Sequence, residues 1–273
     1  MSAESAPAPT VAPPAGALVL GPSLRGLRPM VLPVATAAAM LLFWQFAAAL
    51  LRVPAVILPT PAEIGSELWQ ALPALIGNAM PTTRDTLAAF FAATILGVGL
   101  AVAIGYSPLL RDTLYPNLVV LQLVPKVALA PLFVIWLGIG SSSRVAFAGF
   151  VSFFPVVIAA GVGFAGTDPA VLRLCRSLTA SDWRCFVLVR FPFALPAIFS
   201  GMKVAMTMAV IGVVIGEFIS SQAGLGFYIL NAGSRLNTAE VFAALVVLCV
   251  LGVALYGLVA LAERAVRRVY SRH

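Results

Sequence analysis

Charge is scarce in this sequence: Asp, Glu, Lys and Arg make up only 10% of its 273 residues. Soluble domains carry about 25%. With 61% hydrophobic residues and a mean hydropathy of +1.04, a soluble fold of this length could not hide its apolar surface. Lipid must cover part of it. Histidine is nearly missing, and the one copy is the final residue, His273, which removes His-based metal sites and catalytic dyads. Cysteine is rare: Cys175, Cys185 and Cys249 are odd in number and form no CxxC, so neither a disulfide framework nor a zinc site is indicated. Only two lysines occur, Lys126 after Pro125 and Lys203 after Met202. Neither completes the Gly-Lys-Ser/Thr of a P-loop, so the chain carries no nucleotide motor of that type. No basic run is interleaved with aromatics, which argues against nucleic acid as a partner despite the net charge of +7.

Long apolar runs are what the sequence has instead. They cover residues 33–51, 86–106, 114–137, 145–165, 193–219 and 241–262. Each is long enough to cross about 30 Å of hydrocarbon as a helix. The expected fold is therefore all-α and polytopic, with six transmembrane helices. A short amphipathic helix is expected at residues 61–72, bracketed by Pro59, Pro61 and Pro73. The first 24 residues lack Lys and Arg and are interrupted by Pro7, Pro9, Pro13 and Pro14. That is no signal peptide. Residues 1–29 read as a disordered cytoplasmic tail, 30–264 as the membrane domain and 265–273 as a basic cytoplasmic tail. With the N-terminus inside, eleven arginines fall in inside segments and four (Arg52, Arg84, Arg144 and Arg235) outside, while both lysines fall within spans. The excess favours a multi-pass protein with both termini in the cytoplasm.

The longest inside connection, residues 166–192, reads GTDPAVLRLCRSLTASDWRCFVLVRFP. Asp168 is suited to N-cap a helix with Pro169 at its first position. Val171, Leu172, Cys175 and Leu178 then recur at helical spacing. Ser181 or Asp182 can cap a second short helix carrying Trp183, Phe186, Val187 and Val189. The basic side chains of this pair, Arg173, Arg176, Arg184 and Arg190, suit two readings. They could meet lipid headgroups, or the loop could dock a cytoplasmic subunit.

The order of residues in this loop resembles the EAA loop of ABC importer permeases, the binding-protein-dependent transport family. Arg173, Leu174 and Cys175 stand at the family's Glu-Ala-Ala, Thr179 at its Gly, and Phe191–Pro192 at its Leu-Pro. Arg173 reverses the charge of the family's Glu, so an ion pair made by that Glu does not carry over. Other segments follow in family order: LPTPAEI from Leu58, VPKVALAPLFVIWLGIG from Val124, FFP from Phe153, GEF from Gly216 and GLG from Gly224. Together they point to the nitrate/sulfonate/taurine and pyrimidine-precursor branch. The resemblance implies a type I importer permease in the bacterial inner membrane. It implies a second permease copy, usually an identical one in this family, two cytoplasmic ABC ATPases and an extracytoplasmic solute-binding protein. The chain itself would hold no cofactor, since ATP and Mg would be bound by the ATPases. Asp168, Leu172, Arg173, Arg176, Thr179, Ala180, Ser181, Asp182 and Trp183 become the candidates for ATPase coupling.

Within the spans, Gln122, Lys126, Met206 and Glu217 are candidates for the translocation path. Structural readings stand beside these. Lys126 could satisfy carbonyls freed near Pro125 and Pro131, Glu217 could meet the SSQAGLG loop that follows it, and Met206 could simply pack. Lys203 is expected to snorkel towards the cytoplasmic face. Gly97, Gly99 and Gly105 are expected to permit close helix contact. An ion-coupled secondary transporter is the alternative function, and a membrane enzyme ranks behind both.

Overall fold

The computed structural model describes residues 28–178 and 181–270, and all regular structure among them is helical. Expectations for residues 1–27, Thr179, Ala180 and residues 271–273 lie outside the described residues. The chain divides into two units at Arg52. The first contains α1 (Arg28–Leu50), an apolar helix of 23 residues with Pro33 in its second turn. At 1.5 Å per residue it is about 34 Å long, enough for one crossing. It takes in the last two residues of the expected tail.

The second unit opens with α2 (Pro61–Tyr106), 46 residues in one helix. Thr60 starts it with a reciprocal cap: Oγ1 accepts the Glu63 amide at 3.3 Å, and the Thr60 amide donates to Glu63 Oε2 at 2.7 Å. The separate helix expected over 61–72 does not exist. It continues through Pro73 and Pro81 into the second span. A proline inside a helix costs about 3 kcal/mol. Burial outweighs it here, because Leu75 packs completely buried against Leu225, Ala243 and Ala244.

The third span differs from a straight helix over 114–137. It is broken into α3 (Pro108–Gln122), a 3₁₀ turn (Lys126–Leu129) and α4 (Ala130–Leu137), bent by 90°. Pro125 lacks an amide and drives Val124 out of the α region, so the helix ends before it. Among the described residues, five helices are long and apolar enough to cross a membrane, and the bent pair makes up to six.

The core lies where α5 (Ser141–Ala165) crosses α2 and α8 (Phe191–Ser220). Gly212 brings α8 so near α5 that a Cβ there would lie 2.7 Å from the Ala148 Cα; at Gly201 it would lie 2.6 Å from the Ala159 Cβ. Gly97 makes a similar approach to Val156, whereas Gly99 faces open space, so only part of the expected glycine face is used. Residues 221–224 turn the chain into α9 (Leu225–Ser234), a helix the hydropathy pattern did not reveal. The last helix, α10 (Thr238–Tyr270), runs on through most of the expected basic tail. On it Glu263 receives the Lys203 ammonium at 2.8 Å. Lys203 is thus ion-paired rather than only snorkelling.

Candidate functional site

Three groups of polar or exposed residues stand out on this scaffold. The first is the connection between α5 and α8. Asp168 Oδ1 accepts the Ala170 amide at 2.7 Å and starts α6 (Pro169–Ser177). Ser181 Oγ accepts the Arg184 amide at 3.3 Å and starts α7 (Asp182–Cys185). α7 passes without interruption through a π turn (Phe186–Arg190) into α8. The two-helix reading of the loop therefore holds, and the second helix runs continuously into a span.

One side of this loop is anchored. Cys185 and Phe186 are buried, and Phe186 lies tilted against Phe164 at 5.2 Å between centroids. Arg190 donates to the Gly105 carbonyl at 3.1 Å, placing a cation at the C-terminus of α2. The other side is open. Val171, Arg173, Leu174, Leu178, Asp182 and Trp183 are exposed, with Trp183 at 59% stacked on Phe186 at 6.0 Å. Leu172 is half-buried and lines a cavity of about 340 Å³ beneath the loop, together with Asp182 and Arg190. Arg176 belongs to α6.

The second group sits at the break in the third span. Lys126 Nζ donates to the Gln122 carbonyl at 2.7 Å and lies 4.9 Å from the Phe154 ring centroid. This is the structural role anticipated for it beside Pro125. Yet Gln122 and Lys126 also line a cavity of about 320 Å³ with Phe154, Met208 and Ile211. The structure thus brings two of the four path candidates together. Met206 and Glu217 lie elsewhere: they are 2% and 1% exposed, packed inside the helix bundle, and neither lines that cavity. On a helix, positions 206 and 208 point about 200° apart, so only Met208 reaches it.

The third group explains Glu217, whose contact with the following glycine loop was anticipated while its distant partner Thr82 was not. Its Oε1 accepts from Thr82 Oγ1 at 2.8 Å, and its Oε2 accepts the Gly226 amide at 2.7 Å. The Leu225 amide donates in turn to Thr82 Oγ1 at 2.9 Å. A Cβ on Gly224, whose φ is +110°, would lie 2.1 Å from Glu217 Oε1, and one on Gly226 would lie 2.8 Å from the Glu217 Cβ. The Glu of GEF and the glycines of GLG are therefore one construction. Beside it, Arg144 donates to Asp85 Oδ2 from Nε at 2.9 Å and from an Nη at 2.7 Å, and Ser141 Oγ donates to Oδ1 at 2.5 Å. The two ionic side chains are 10% and 4% exposed. Arg144, counted as a loop charge in the sequence, is a buried structural ion. Nothing in its local pattern marked it, because its partner lies 59 residues away.

Comparison with known proteins agrees with this architecture. Residues 93–268 match the family described as the binding-protein-dependent transport system inner membrane component. The taurine transport system permease of Escherichia coli is 32% identical over 252 residues, covering 87% of this chain and 89% of that one. The riboflavin transport system permease of Chloroflexus aurantiacus is also 32% identical, over 239 residues and the same shares of each chain. Among solved structures, an inward-facing conformation of the MetNI methionine ABC transporter superposes with a TM-score of 0.64 at 16% identity, covering 72% of this chain and 98% of that one. An amino acid ABC transporter gives 0.57 at 18% identity, over 72% and 95%. The fold is thus that of type I importer permeases. With a broken span, a capped two-helix loop feeding directly into α8 and a family match across most of its length, this chain belongs to the binding-protein-dependent inner membrane components and is the permease subunit of an ATP-driven ABC importer.

Proposed function

We propose that the loop of residues 166–192 is where this permease receives force from two cytoplasmic ATPases, and that two copies of the chain form the pathway. Supporting this is the loop's asymmetry. Its inner side is fixed by Phe186 and Arg190, while Leu174, Leu178 and Trp183 are 59%, 71% and 59% exposed. Exposed aromatic and aliphatic anchors beside arginines are the chemistry of a protein contact. The unbroken passage from α7 into α8 offers a stiff lever by which movement at the loop reaches the helix lining the cavity. The chain holds no cofactor in this scheme; ATP and Mg bind the ATPases. Both termini lie in the cytoplasm, and a binding protein delivers cargo at the other face.

The cargo is a small organic solute entering beside Gln122 and Lys126. Relatives are named for taurine, riboflavin, aliphatic sulfonates and formylaminopyrimidine, which supports a compact, polar or anionic molecule. The test is reconstitution. The purified chain should hydrolyse no ATP above background, and the complex with its co-purifying ATPases should do so and drive uptake. Robust turnover by the isolated chain, or uptake abolished by dissipating the proton gradient at constant ATP, overturns the assignment.

A further inference from the structure

We infer that the cavity at the broken third span is an anion-recognition site, with Lys126 as its specificity-determining charge and a small organic sulfonate or carboxylate as its ligand class. The inference deepens the proposed function and rests on that reading for its place in transport. It begins with an imbalance at Lys126. An ammonium carries three donors. The structure supplies one acceptor, the Gln122 carbonyl at 2.7 Å, and one ring face, Phe154 at 4.9 Å. The remaining donors sit at the wall of a cavity of about 320 Å³, towards the small end of small-molecule sites.

Apart from the Gln122 side chain, the rest of that wall is apolar. It includes Phe147, Phe154, Val204, Met208 and Ile211, and among the described residues no acidic one lines it. A cation in a membrane span without a carboxylate partner is costly, and such groups persist where they meet water, substrate or a counter-ion. The contrast with the buried Arg144 is direct: that cation is matched by Asp85 at 2.7 Å. Irregular backbone at membrane depth is likewise confined to places where it lines a cavity or is buried in protein, and residues 123–125 adjoin this one. One positive charge against flat and aliphatic walls selects a ligand with a single anionic group and an apolar or planar body. A cation is repelled, and a bare inorganic anion leaves the apolar walls unsatisfied.

The experiment uses the full chain in membrane vesicles open to both sides, with Cys175, Cys185 and Cys249 replaced by alanine and Met208→Cys as a reporter in the cavity. Its modification is followed with an anionic and a cationic methanethiosulfonate of similar size, with and without benzenesulfonate. The anionic reagent should react faster than the cationic one by about tenfold, and benzenesulfonate should slow it. Lys126→Gln should abolish both the preference and the protection, while Lys126→Arg should retain them and so control for folding. Equal rates for the two reagents, or protection that survives Lys126→Gln, overturn the proposal. These readouts need no ATPase, so failure of the site and failure of the importer reading are told apart: co-purification and ATP-driven uptake report on the second alone.

Discussion

The two ends of the helix bundle are built on opposite principles. At one end, Asp85, Arg144, Thr82 and Glu217 are buried and tied to one another or to the backbone of residues 224–226. At the other, α6 and α7 leave leucines, a tryptophan and an arginine facing outward. A buried ionic lattice locks four helices in one arrangement, because breaking any member strands a charge in a medium that cannot solvate it. An open face contributes little to folding and is free to bind. The difference separates a fixed frame from the open surface proposed above to meet the ATPases.

Mutations should therefore divide by end. The largest stability effect is expected for Arg144→Leu, which strands the Asp85 carboxylate; a loss of about 3–5 kcal/mol should appear as a large fall in the unfolding temperature of the detergent-purified chain. A change below about 1 kcal/mol would show that water reaches the pair and that the lattice is not a lock. Gly226→Ala is expected next, at about 1–3 kcal/mol, because its Cβ would collide with Glu217 while the carboxylate must keep the residue-226 amide. The same melting measurement checks it, and Gly99→Ala, which meets open space, should lie within about 0.5 kcal/mol of the parent. Smallest in stability should be Trp183→Ala, also within about 0.5 kcal/mol. Its effect belongs to a different measurement, since ATPase co-purification should fall by about tenfold or more. Normal co-purification and uptake in that variant would remove Trp183 from the docking surface.

Much of the loop end was legible in the sequence because its signals are local. Asp168 before Pro169 and Ser181 before Asp182 are capping patterns, and both caps form. Glu217 was legible only in part. Its neighbouring glycines suggested a tight turn, but Thr82, which holds the other carboxylate oxygen, lies 135 residues away. The kink at Pro125 follows from backbone chemistry, yet apolar residues continue on both sides of it across 114–137, and hydropathy alone read one helix. Pro73 misled in the opposite direction. It marks a break by local preference, but the packing of Leu75 holds the helix together across it.

Scarcity of charge, six apolar runs and the ordered motifs from Leu58 to Gly226 determined by themselves that this is a polytopic membrane permease. Those properties are sums over composition or patterns along neighbouring residues, and no distant contact is needed to express them. Only the tertiary structure decided which polar side chains serve the frame and which face a cavity. Met206 and Met208 differ by two positions, and Arg144 and Lys126 both read as isolated cations. Helix rotation buries the first methionine and opens the second to the cavity. Asp85 neutralises the arginine, while among the described residues no carboxylate lines the cavity at the lysine. Pairing across the bundle depends on how helices rotate and cross, which is set by packing at glycines such as Gly201 and Gly212 and not by the residues beside each charge.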